Sequence, residues 1–208
     1  MTRTPAVVLL LAAATVLGAA DTLEVFGRKW DVPVAADWKV EEDAGAQALR
    51  LAQNRGPLPG PRRPIQFALA ETAPFRQVTV EADVMPLAKS LMIVFAYQDE
   101  AHFNYAHLST DTAKQESHHN GVFHVYGGER VRISNEDGPA AFAETKKWYH
   151  VKLVHDGTTG RVSVSVNGQP VPALEGVDLS LRSGRVGLGS FDEWAVFKNV
   201  RISGTPAP

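Results

Sequence analysis

Residues 148–171 read WYHVKLVHDGTTGRVSVSVNGQPV, and residues 183–204 read SGRVGLGSFDEWAVFKNVRISG. The first stretch holds two hairpin signals. A strand from Trp148 to His155 turns at Asp156-Gly157 into a strand from Arg161 to Val166. That strand turns again at Asn167-Gly168. Asp-Gly and Asn-Gly pairs reach the positive φ of tight hairpin turns at least cost. Tyr149, Val151 and Leu153 alternate with Trp148, His150 and Lys152, and Val162, Val164 and Val166 alternate with Arg161, Ser163 and Ser165. Period-two alternation predicts a sheet with one face buried.

The same periodicity recurs upstream. Trp38–Glu41, Ala48–Leu51 and Ile65–Ala70 read as short strands, and Asp21 to Val34 as an edge strand beside the C-terminal one. In Gln77–Val84, Val78, Val80 and Ala82 oppose Thr79, Glu81 and Asp83. Leu91–Tyr97 is apolar at every position, which predicts a central strand covered on both faces. Asp99-Glu100-Ala101 turns it into His102–Leu108, and Gly127-Gly128 joins Val122–Tyr126 to Arg130–Ile133. NRGPLPGPRRP (54–64) is a Pro/Gly loop without ladder capacity, and STDTAKQESHHN (109–120) is a polar excursion. No helical periodicity exceeds one turn. About a dozen short strands with evenly spaced turns predict an all-β, two-sheet antiparallel sandwich.

The closing segment, with Phe95-Ala-Tyr-Gln-Asp99, Phe103-Asn-Tyr-Ala-His-Leu108 and His119-Asn-Gly-Val-Phe123, resembles concanavalin A-like lectin/glucanase jelly rolls. It is similar to the laminin-G-like branch that includes 3-keto-disaccharide hydrolases, mostly secreted bacterial proteins. The resemblance runs from about Trp38 to Gly204 and implies a jelly-roll sandwich. For function it implies a glycan-facing protein, by analogy only.

Residues 1–20, MTRTPAVVLLLAAATVLGAA, pair Arg3 with a short apolar core and end in small residues. That is the pattern of a secretory signal cleaved near Ala20, leaving residues 21–208 as one domain, secreted or periplasmic. The core is too short for a stable membrane anchor. The absence of cysteine excludes a disulfide framework and thiolate chemistry. A net charge of −2 without Lys/Arg runs gives no support for nucleic-acid binding.

Histidine is concentrated: His102, His107, His118, His119 and His124 fall within 23 positions. Parity puts His102 with Asn104 on one strand face, and His107 with Phe103 and Tyr105 on the other. His107, His119 and His124 are the candidate catalytic set, as acid/base groups or ligands of a divalent metal. Separately satisfied strand and loop histidines are the plain alternative, and register decides between them. Asp31, Asp99, Asp111 and Asp192 leave a structural calcium open, although no loop has EF-hand spacing. The cofactor is therefore unassigned.

Sugar recognition needs a flat ring and a few oriented polar groups. Tyr97, Tyr126, Trp148 and Trp194 are the candidate rings, and Asn104, Arg130, His150 and Lys152 the polar groups; Tyr126 and Trp148 could equally be sandwich packing. A two-carboxylate glucanase site is not supported. The family pattern Glu-x-Asp-x-x-Glu is met only by Glu81-Ala82-Asp83, without the last carboxylate, and Asp192-Glu193 would point to opposite faces of a regular strand.

These readings define a secreted sandwich that binds or processes a saccharide or glycoside. One alternative is a 3-keto-glycoside hydrolase or lyase using His107, His119 and His124, with Tyr105 or Arg130 stabilising an enolate. Another is a non-catalytic adhesion or scaffold module. An enzyme requires titrating groups converging in one pocket, a lectin an exposed ring, and a scaffold a flat apolar patch.

Overall fold

The computed structural model describes residues 21–56 and 60–208, so the signal-peptide segment lies outside the described residues. The protein is an all-β sandwich of two antiparallel sheets, with strands numbered along the chain. The first sheet runs in the order β1 (Asp21–Val25), β2 (Arg28–Val32), β5 (Gln66–Ala70), β15 (Arg185–Ser190), β7 (Ser90–Asp99), β8 (His102–Ser109), β9 (Gly121–Tyr126), β10 (Glu129–Arg132). The second runs β13 (Gln169–Pro170), β12 (Arg161–Val166), β11 (Tyr149–Asp156), β6 (Phe75–Pro86), β16 (Ala195–Pro206), β4 (Ala46–Leu51), β3 (Trp38–Asp43), with β14 (Gly176–Val177) paired to β12. Among the described residues helix is confined to two 3₁₀ turns, Ala35–Asp37 and Pro172–Leu174.

Period-two sequence becomes two-faced sheet. Val78, Val80, Ala82 and Val84 of β6 and Val151 and Leu153 of β11 meet Leu91, Ile93 and Phe95 of β7, all buried in the inter-sheet core. The alternate residues Glu81 and Asp83 lie on the outer face of the second sheet, paired with Lys152 and His150. They form a solvated charge ladder.

Several hairpins close on two residues with positive φ: Phe26-Gly27 (56° and 67°), Ala44-Gly45 (49° and 81°), Gly127-Gly128 (62° and 85°) and Asn167-Gly168 (50° and 79°). This geometry matches the right-handed twist of the flanking strands. The Asp156-Gly157 turn is longer than the sequence suggests. Its left-handed residue is Gly160 (φ 73°), and a Cβ on Gly157 would lie 1.7 Å from the Arg182 carbonyl oxygen. Gly157 is required there by close backbone approach.

One expectation is corrected. Residues 21–34 do not flank the C-terminal strand. They form the β1–β2 hairpin at the edge of the first sheet, while β16 sits inside the second between β6 and β4. The Phe26-Gly27 turn that creates the hairpin escapes a composition-based reading because its first residue is an aromatic.

The first sheet is covered on both faces. Its outer face carries a second apolar cluster of Phe67, Leu69, Met92, Val94, Phe103, Tyr105, Phe123, Val125 and Phe191. The apolar stretch of β7 belongs to both layers, with Leu91, Ile93 and Phe95 inward and Met92 and Val94 outward.

Candidate functional site

Register builds the outer face of the first sheet. Met92 pairs with His107, Val94 with Tyr105, Tyr105 with Phe123, and Phe123 with Arg132. These residues therefore form rows on one face. Tyr105 and Phe123 stack with centroids 5.2 Å apart. The guanidinium of Arg132 lies 4.8 Å over Phe123, and that of Arg130 lies 4.7 Å over Phe191. Arg62, from the Pro/Gly loop, covers the same Phe191 ring at 5.1 Å and pairs with Asp192.

Beside this layer opens a cleft of about 490 Å³. Its polar walls include Ser90, His107, Glu116, His118, His119 and Arg130, and the 191–193 loop adds Phe191, Asp192 and Glu193.

His107 is the buried anchor. Its Nδ1–H donates to the His118 carbonyl at 2.7 Å, so Nε2 accepts from the Ser90 hydroxyl at 2.8 Å. Burial, reinforced by the nearby His119, pushes its pKa down to about 3. His107 is thus a neutral imidazole with both nitrogens committed. The Ser90 backbone N–H donates to the Glu193 carboxylate, tying the 191–193 loop to the start of β7.

His119 is the partly exposed member of the pair. The Ser109 hydroxyl donates to the Lys89 carbonyl, so its oxygen accepts from His119 Nδ1–H, which it shares with Asp111 Oδ2, both at 3.1 Å. Burial alone would raise the Asp111 carboxyl. Hydrogen bonding and charge from Lys89 and His119 outweigh it and hold the carboxyl below its ordinary value. These contacts use Nδ1 and leave Nε2 on the far edge of a ring that lines the cleft.

Arg132 positions the turn that carries both loop histidines. Its guanidinium donates to the carbonyls of Ser117 (2.8 Å), His119 (2.6 Å) and Asn120 (3.3 Å). A Cβ on Gly121 would lie 1.9 Å from this guanidinium, so the glycine makes room for it. Asn120, fully buried with φ 44°, clips the turn to residues 139–141 through Pro139 O and Ala141 N–H, each at 3.0 Å.

The sequence candidates divide among three places. His107, His119 and Arg130 line the cleft. His124 and Asn104 occupy the opposite face of the same sheet, looking toward the second sheet, so the three candidate histidines do not converge. His124 Nδ1 lies 3.1 Å from Asp178 Oδ2 and 3.0 Å from Asn104 Oδ1, and Asn104 donates to Asp178 at 2.8 Å. The cause is parity, since His124 sits one residue beyond the outward-facing Phe123. Tyr126 ends that row and stacks on His124 at 5.4 Å.

His150 belongs to β11 of the second sheet, and Trp148 immediately precedes that strand. The Trp148 ring lies under Lys198 Nζ at 4.0 Å, and His150 Nδ1 contacts Asp83 at 3.0 Å. Tyr97 packs on Phe67 and Phe103, away from both, so the four candidate rings do not form one platform.

Ser90, Arg62, Phe191, Asp192 and Glu193 are cleft residues that strand periodicity did not single out. Asp192 and Glu193 both line the cleft because residues 191–193 leave the ladder between β15 and β16. The composition of 54–64 marked a loop, but nothing in it showed that Arg62 would reach Phe191.

Among the described residues no group of three or more His, Asp or Glu side chains is placed to hold a metal ion. The four aspartates considered for calcium lie against separate cationic or imidazole partners: Asp31 on Arg185, Asp99 on His102, Asp111 on Lys89 and Asp192 on Arg62. No helix of the described residues is long and apolar enough to cross a membrane.

No family model and no curated protein matches the chain. Solved structures do share its fold. The carbohydrate binding module CBM66 from Bacillus subtilis is 17% identical with a TM-score of 0.60, over 84% of this chain and 95% of that one. A candidate glycosyl hydrolase from Parabacteroides distasonis is 12% identical with a TM-score of 0.53, over 82% and 91%. A Bacillus subtilis protein of unknown function with a galectin-like fold is 18% identical with a TM-score of 0.50, over 82% and 88%. At these identities the likeness is one of fold, and it agrees with the two-sheet antiparallel sandwich expected from sequence.

Proposed function

We propose that this protein is exported and binds a saccharide in the cleft on the outer face of its first sheet. The observation that carries the reading is the cleft's composition. Polar and charged side chains of His119, Arg130 and Glu193 converge on the cleft, with the mostly buried Phe191 ring beneath Arg62 and Arg130 completing the wall. Sugars present rings of hydroxyls, and such a wall offers them oriented donors and acceptors. The names of the carbohydrate binding module and the candidate glycosyl hydrolase that share the fold support the reading by analogy. The test is a glycan screen followed by calorimetry on Phe191→Ala. Binding that weakens in this variant supports the cleft, and binding that is unaffected removes it.

The second reading is a 3-keto-glycoside hydrolase or lyase, and the Asp111–His119 pair favours it. A C3 ketone acidifies the C2–H bond. His119 Nε2 would take that proton, the electron pair would form the C1=C2 bond, and the C1–O bond would break. The aglycone oxygen would leave with a proton from water. In this scheme His107 supports the base through ring contact. Turnover of 3-keto-glycosides that disappears in His119→Ala supports it, and tight binding without turnover leaves the binding reading.

A further inference from the structure

We infer that the saccharide taken by this cleft is anionic, with its acid group seated on Arg130; this rests on the saccharide-binding reading above. Two carboxylates in and beside the cleft lie against imidazoles and one against Arg62, and Glu193, like Arg130, forms no ion pair among the described residues. Arg62 pairs with Asp192, His118 with Glu116, and His119 with Asp111, while Glu193 accepts the Ser90 N–H. Arg130 forms no ion pair among the described residues, which include every acidic side chain of the sequence. Its hydrogen bond runs to the Tyr105 hydroxyl at 3.4 Å. Burial pushes that phenol up to about 12, so it stays neutral and supplies no countercharge.

Arg130 is also held in a presenting geometry. Its guanidinium lies 4.7 Å over Phe191 and 5.8 Å from the centre of Phe123. The Phe191 contact holds the guanidinium at the cleft wall, and a guanidinium takes an oxyanion bidentately. Arg132, two residues on, shows the contrasting use. Its donors are spent on the backbone carbonyls of the 117–120 turn. Neither arginine forms an ion pair among the described residues, but Arg132 spends its donors on the turn, whereas Arg130 has one hydrogen bond and lines the cleft.

The experiment is calorimetry on the whole protein with oligosaccharides bearing glucuronate, galacturonate or sulfate esters, each beside its carboxyl-reduced or desulfated counterpart. The expected result is binding about tenfold or more tighter for the acidic member, from charge-assisted hydrogen bonds. That preference should weaken with salt. It should collapse in Arg130→Gln and persist in part in Arg130→Lys, with both variants melting as the parent does. Comparing uronides with sulfate esters identifies which acid group is taken. Equal or tighter binding of the neutral members overturns the inference and leaves saccharide binding intact. An acidic preference unchanged in Arg130→Gln overturns the assignment to Arg130. No binding of any saccharide overturns the inference together with the reading it rests on.

Discussion

The rings of His107 and His119 meet edge to face, with centroids 5.0 Å apart and planes at 70°. One is a buried neutral ring between Ser90 and a backbone carbonyl. The other is held by Asp111 at the cleft wall. Two adjacent imidazoles thus have different work, set by burial and partners.

His107 makes stability depend on pH. In the unfolded chain it takes a proton near its ordinary value of 6.5, while burial keeps the folded form neutral down to about 3. Between those values the unfolded state binds the extra proton. Stability is therefore full above about pH 6.5 and falls by about 1.4 kcal/mol per pH unit below it. His155, also lowered by burial, acts in the same direction. Thermal melts from pH 7 to 4 should fall less steeply for His107→Gln than for the parent. Parallel curves would show that His107 is not held neutral.

His155 stands in the inter-sheet core, 1% exposed, with neither ring nitrogen hydrogen-bonded, and with Phe95 at 4.9 Å between centroids. A buried polar group without partners costs stability. His155→Leu should raise the free energy of unfolding by about 1–3 kcal/mol in urea titration. An unchanged or lower value would mean that the ring has a partner in solution.

Arg132 organises the 117–120 turn. Arg132→Met keeps most of the aliphatic stem but strands three backbone carbonyls, and about 2 kcal/mol of stability should be lost. Hydrogen exchange should quicken locally, at the amides of residues 117–121. Retained protection there would argue against the arginine as the organiser.

Trp148, against Lys198 of β16, and His150, against Asp83 of β6, lie with the second sheet and not among the cleft residues. Alanine at either should leave saccharide affinity unchanged, whereas Phe191→Ala should lower it about tenfold, because the ring that supports Arg62 and Arg130 in the wall is lost. The reverse pattern would move the site to the other sheet.

Two glycines that look alike in sequence should respond differently. Gly168 sits at φ 79° with open space around it, and alanine there should cost about 1–2 kcal/mol of backbone strain. Gly157 faces the Arg182 and Arg76 carbonyl oxygens at 1.7 Å and 2.7 Å from a built Cβ. Alanine there forces backbone apart and should cost more than about 2 kcal/mol. Equal melting temperatures for the two variants would contradict this.

Hydrophobic alternation alone determined that this chain is a two-sheet antiparallel sandwich, which strand is covered on both faces, and that His107 shares a face with Tyr105 while Asn104 does not. These are local properties, because side-chain direction in a strand follows from parity. Tertiary structure decided which groups meet. Arg62 and Asp192 are 130 residues apart, and Ser90 and Glu193 are 103 apart. Only pairing order and the path of the loops bring them to one cleft. The same order carried residues 21–32 away from the C-terminal strand, whereas parity alone put His124 on the far face of its sheet. Long-range register is a sum of many weak pair preferences spread over the whole chain, so no short stretch of sequence encodes it.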